Sequence, residues 1–168
     1  MSKPRPTLGM YHISFRDNLA GLITPRQPDG SEGGVSDQNH GKEEGYPEHL
    51  PERISFSPTI QQCFSAIYPN ISHLVEVEKY PHLDFYVYAP IIQENTQFID
   101  TATILKEVWD AHVTGEICVT TPVEFVRISK IRVWVTDKEI RARPYNSTKH
   151  PMQFVSPVIR YQVLKTYR

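Results

Sequence analysis

The chain has 168 residues, 39% of them hydrophobic and 22% charged, which excludes a disordered polymer and suits one domain with a buried core. A formal net charge of −1 excludes a strong overall attraction to duplex nucleic acid. A local basic patch stays open, because the C-terminal third gathers Lys130, Arg132, Lys138, Arg141, Arg143, Lys149, Arg160, Lys165 and Arg168. No apolar run approaches the ~20 residues that cross a bilayer, and MSKPRPTLG lacks the apolar segment of a secretory signal. Cys63 and Cys118 sit within apolar runs, as reduced core thiols do. A cytoplasmic protein with no membrane partner is expected.

Residues 1–9 form a Pro-rich lead-in, and residues 10–15, MYHISF, read as a strand. Met10, Ile13 and Phe15 ask for burial there, so His12 is either a packed imidazole or a ligand contact. RDNLAGLITPRQP predicts one short helical turn, capped by Asp17 or Asn18 and stopped by Pro25 and Pro28. Residues 27–52, rich in Gly, Pro, Glu and Ser, predict a flexible loop, either a lid or a tolerated insertion. Its His40, Glu43, Glu44 and His49 have no metal-ligand spacing, and no metal is expected.

RISFS then predicts a strand running into a helix, with Ser57 as N-cap and Pro58 in the first turn. Ile60, Cys63, Phe64 and Ile67 form one apolar stripe, and Pro69 and Asn70 stop it. HLVEVEKY and LDFYVYAP predict strands, the latter with Leu83, Phe85 and Val87 on one face. Asp100 caps a helix through TATILKEVWDAH, with Ile104, Leu105, Val108 and Trp109 inward. EICVT, KIRVWVTD and QFVSPVIRYQVLKTY complete the strands, with Pro157 marking an edge or bulge. Many strands and two or three helices make the fold class α+β, with a mostly antiparallel or mixed sheet.

Singly, each polar candidate has a plain structural reading. His12 suits a satisfied core imidazole, Ser55 a strand residue, Ser57 a helix cap, and Glu116, opening a strand after Gly115, a solvated carboxylate. Taken together, YHIS, the DNL of Asp17–Leu19, ISFSPTI and GEICVTTPVEFVRISKIRV occur in an order that resembles the ADP-ribosyltransferase superfamily, nearest its diphtheria-toxin-like branch. The resemblance covers roughly residues 10–136 of a single domain and leaves 137–168 as a C-terminal extension. The YH, LITPRQP and RISFSPTI segments also resemble small phage proteins, which implies a viral or bacterial setting and, for a viral protein, the host cytoplasm.

The resemblance implies a split β-sheet of two packed, mostly antiparallel sheets, with NAD as substrate. It makes Glu116, His12 and Ser55 the catalytic set. Glu116 would stabilise the oxocarbenium-like ribose that forms as the nicotinamide bond breaks, and would activate the acceptor. His12 would bind a ribose hydroxyl, with Tyr11 and Ser57 near the cofactor and Arg26 or Arg53 on the pyrophosphate. The branch carries a tyrosine where this chain has Ser55, and strand alternation turns Phe56 to the opposite face. Nicotinamide then stacks on another ring, such as Tyr11, Tyr46 or Tyr80, or the site binds a nucleotide without cleaving it. A nucleotide-sequestering binder of phage anti-defence type is therefore the alternative, and an RNA 2′-phosphotransferase a lower one. The acceptor that the resemblance implies is a protein, a nucleobase or a small molecule.

Overall fold

The computed structural model describes residues 5–26, 50–67, 71, 73–108, 111–142 and 153–167. In chain order these form β1 (His12–Ser14), β2 (Gly21–Ile23), β3 (Ile54–Phe56), α1 (Ile60–Ala66), a π-helical turn (His73–Val77) and β4 (Leu83–Ile91). There follow α2 (Thr101–Glu107), α3 (Ala111–Thr114), β5 (Ile117–Val119), β6 (Val123–Ala142) and β7 (Gln153–Thr166). The chain is thus α+β, mostly antiparallel strands with few helices.

The larger sheet is built on β4 and β6, paired from Leu83↔Val133 to Ile91↔Glu124. β1 lies on the far side of β4, with His12 opposite Tyr88 and Ser14 opposite Tyr86. The other side of β6 is shared: β2 pairs with Val123–Phe125 and β7 with residues 129–142. Residues 137–142 and 153–166 are therefore structural, since they supply the far end of β6 and the whole of β7. β3 and β5 make a separate two-stranded sheet, joined to the first by isolated bridges at Tyr11↔Ser57 and Arg26↔Arg53.

Side-chain alternation sends apolar residues to both faces of the larger sheet. On one face Phe85, Val87, Ile131 and Val133 pack under α1, where Phe64 meets Phe85 edge-on at 5.0 Å. At one end of the other face, Tyr88, Val123 and Phe125 pack on Ile54, Phe56 and Val119 of the small sheet. The outer side of the small sheet carries Cys118, covered by Leu50, Ile104, Val108 and Ala111. The apolar stripe predicted for α1 is present, with Cys63 and Phe64 buried.

Four local expectations are corrected. Among its described residues, 16–26, RDNLAGLITPRQP holds no helix; Gly21–Ile23 form β2 instead, because β6 offers an edge that satisfies their backbone. α1 is capped by Thr59, whose Oγ1 accepts from Gln62 N at 3.2 Å, and not by Ser57. Ser57 is committed to the strand bridge, exchanging backbone bonds with Tyr11 at 2.8 and 2.9 Å, so it stays extended. HLVEVEKY is a π-helical turn: β4 is already flanked by β1 and β6, and Leu74 and Val75 reach the core from a turn. In α2 the Asp100 cap is present, yet Leu105 is half exposed and the helix breaks before Ala111. Residues 27–49, which hold the predicted loop with Tyr46, and Trp109 lie outside the described residues. No helix among the described residues is long and apolar enough to cross a membrane.

Candidate functional site

β3 and β5 pair with Ser55 opposite Cys118 and Phe56 opposite Ile117. Alternation therefore puts Ser55, Cys118 and Glu116 on one side of the small sheet and Ile54, Phe56 and Val119 on the other. Phe56 is buried against Phe125, with ring centroids 5.4 Å apart, so β3 offers no aromatic ring on the Ser55 side.

The Ser55 hydroxyl donates a short hydrogen bond to Glu116 Oε1. The Cys118 thiol donates to the same oxygen at 3.4 Å and lies 3.8 Å from Ser55 Oγ. Burial pushes that thiol up to about 12, and the charge of Glu116 adds to the shift, so it stays a protonated donor at neutral pH. One oxygen of the Glu116 carboxylate, Oε1, is thus held by two donors.

His12 reaches the same residue from β1. Its Nδ1 lies 3.4 Å from the Ser55 carbonyl, and its ring is tilted on Phe125 at 5.3 Å. A carbonyl only accepts, so this bond requires the proton on Nδ1 and makes Nε2 the acceptor of the neutral ring. His12, Ser55 and Glu116, far apart in sequence, are therefore linked through Ser55: the imidazole touches its carbonyl and the carboxylate its hydroxyl.

The remaining candidates are placed differently. Tyr11 is half-buried and packs with Ile13 and Cys63 on the α1 side, the opposite face of β1 from His12. Ser57 is buried and bonded to Tyr11 through the backbone. Arg53 is buried on the Ser55 side of β3, close enough to Cys118 for its charge to be felt there. Arg26 is exposed, and its backbone pairs with that of Arg53. Among the described residues no group of three His, Cys, Asp or Glu could hold a metal ion.

Two residues that sequence reasoning passed over shape the site. Cys118 was readable only as core, although its position two residues after Glu116 puts both on one face. Gly115 has φ +61°, in the left-handed region, and a Cβ there would lie 2.5 Å from Gln62 Nε2 and 2.9 Å from Pro58 Cδ. The start of α1 thus packs directly on the residue that delivers Glu116. Neither a family model, nor a curated protein, nor a solved structure matches this chain.

Proposed function

We propose that His12, Ser55 and Glu116 form the ribose end of a site for NAD-dependent mono-ADP-ribosyl transfer. The observation that carries this reading is the Ser55 contact on Glu116 with the His12 imidazole against the same serine's backbone. The pairing of β5 with β3, and the bridge from β3 to β1, put the glutamate, serine and histidine strands side by side.

The chemistry suits the groups. Loss of nicotinamide, which leaves with the electron pair of its bond to C1′, builds positive charge on the ribose. Glu116 Oε2, accepting from the ribose 2′-hydroxyl, stabilises that charge most when it is greatest. The acceptor's nucleophile then bonds to C1′ and gives up its proton, for which Glu116 is the nearest base. His12 Nε2 accepts from a further ribose hydroxyl, and Arg53 supplies positive charge toward the pyrophosphate. The buried free thiols of Cys63 and Cys118 suit a reducing compartment such as the cytoplasm.

Nicotinamide release from NAD tests the reading. Glu116→Gln is expected to slow it about 10²–10³-fold with an unchanged circular dichroism spectrum. A folded Glu116→Gln protein with undiminished turnover would remove Glu116 from the reaction. A second reading, a nucleotide binder without turnover, is favoured by one observation: Phe56 is buried in the core, so no β3 ring meets nicotinamide. Tight calorimetric binding of ADP-ribose with no nicotinamide release selects that reading.

A further inference from the structure

The small sheet covers only one end of the larger sheet's second face. The other end, where β4, β6 and β7 run together, carries polar and aromatic side chains. Cross-strand pairing sets them in rows: Asp84 opposite Arg132, Tyr86 opposite Lys130, Trp134 opposite Arg160 and Lys130 opposite Lys165. Lys130 and Arg132 are 32% and 35% exposed, and Arg160 and Lys165 are exposed.

Cations and rings interleave here. The Arg127 guanidinium lies 4.1 Å from the Tyr167 ring centroid and 5.5 Å from that of Tyr86. Lys130 lies 5.6 Å from the Tyr86 ring, Lys165 4.9 Å from Tyr167, and Arg160 5.2 Å from Trp134. Against these five cations stand the Asp84 carboxylate, which takes a bidentate bond from Arg132 at 2.8 and 3.0 Å and lies 3.6 Å from Lys130, and, past the bulge in β6, the exposed Asp137 and Glu139, which pairing with Val158 and Ser156 sets on the same face. At the border, Asp17 offers Arg127 a backbone carbonyl at 2.9 Å. Among the described residues, the stretch of this face between Arg127 and Arg160 therefore carries more cations than carboxylates, in a chain whose net charge is −1.

We propose that this face binds single-stranded nucleic acid. Charge complementarity argues for a polyanion. The rings and the guanidinium groups over them argue for one with flat, unpaired bases, since each base can stack while its phosphate meets a neighbouring cation. An acidic peptide would use the cations and leave the rings idle. A duplex fits poorly, because the three strands make a flat surface only about 10 Å across, with no projecting helix to enter a groove. The platform continues the sheet face that carries His12, for Tyr86 and Tyr88 of β4 lie opposite Ser14 and His12. A strand lying along it runs toward the end of that face where His12 sits.

Fluorescence anisotropy with labelled 15-nucleotide single-stranded RNA and DNA tests this, beside a duplex of equal length and a polyglutamate peptide. No NAD is present, so the outcome is independent of the transfer reading. One or both single strands are expected to bind more tightly than duplex or peptide, with affinity falling by a log–log salt slope of about −0.7 per phosphate contacted. The double variant Arg160→Glu/Lys165→Glu, at two exposed positions, should bind at least tenfold more weakly, with its melting temperature and any nicotinamide release unchanged. Trp134→Leu should weaken binding roughly tenfold at unchanged salt slope. Absent single-strand binding, binding indifferent to the charge reversal, or equal or tighter binding of duplex or peptide would each overturn the proposal.

Discussion

Gly115 does at one residue what no side chain could. It ends α3, donating to Ala111 O at 2.8 Å, turns the chain with a positive φ, and leaves room for Gln62 and Pro58. Glu116 follows immediately, so the backbone turn aims the carboxylate at Ser55. Gly115→Ala meets both the left-handed penalty and the contact with the start of α1, and is expected to cost about 1–3 kcal/mol, read from urea denaturation. Because the strain falls beside Glu116, the loss should be accompanied by a weakening of any nucleotide binding. Neighbouring Cys118 was legible as a core thiol but not as a donor to Glu116, because that role needs Ser55 brought across from another strand.

At the scale of elements, α1 is tied to β7 by Gln61. Its amide donates to the Pro157 carbonyl, and its Oε1 accepts from Ile159 N at 3.4 Å. A side-chain amide thereby occupies backbone groups on the edge of β7 that a further strand would otherwise pair with. Pro157 itself sits opposite Lys138 in a strand whose one strand neighbour among the described residues is β6, which fits the first of the two positions, edge or bulge, that its sequence implies. Gln61→Ala is expected to lower stability by about 1–2 kcal/mol. It should also speed hydrogen exchange at Ile159 while leaving exchange in β4 unchanged, a pattern that separates edge protection from general loosening. The helix stripe was legible because Ile60, Cys63, Phe64 and Ile67 need only the 3.6-residue period; its contact with a strand 96 residues away was not.

At the scale of the whole molecule, the two sheets are joined by a shared apolar cluster as much as by backbone. Phe125 sits at its middle, 5.3 Å from the His12 ring, 5.4 Å from Phe56 and 6.1 Å from Tyr88. It is 3% exposed, so Phe125→Ala should cost about 3–5 kcal/mol through lost burial and the cavity left behind. Thermal melting measures that cost. The same cavity removes the wall behind His12, so any nucleotide affinity should fall with stability. Core packing and site geometry are thus one structural problem in this chain.

Local pattern by itself determined the α+β class, the α1 stripe, the Asp100 cap, the Leu83–Ile91 strand and the turning of Phe56 away from Ser55. Each depends on neighbours within a few residues, through helical or two-residue periodicity or the chemistry of a cap. Tertiary structure decided the rest. It drew Gly21–Ile23 into a strand and His73–Val77 into a turn, because the free edges of a sheet are a property of its assembly. It buried Arg53 and turned Tyr11 toward α1, brought His12, Ser55 and Glu116 into contact, and gathered Arg127, Lys130, Arg132, Arg160 and Lys165 on one face. Those outcomes depend on register between strands distant in the chain, which sequence spacing alone does not specify.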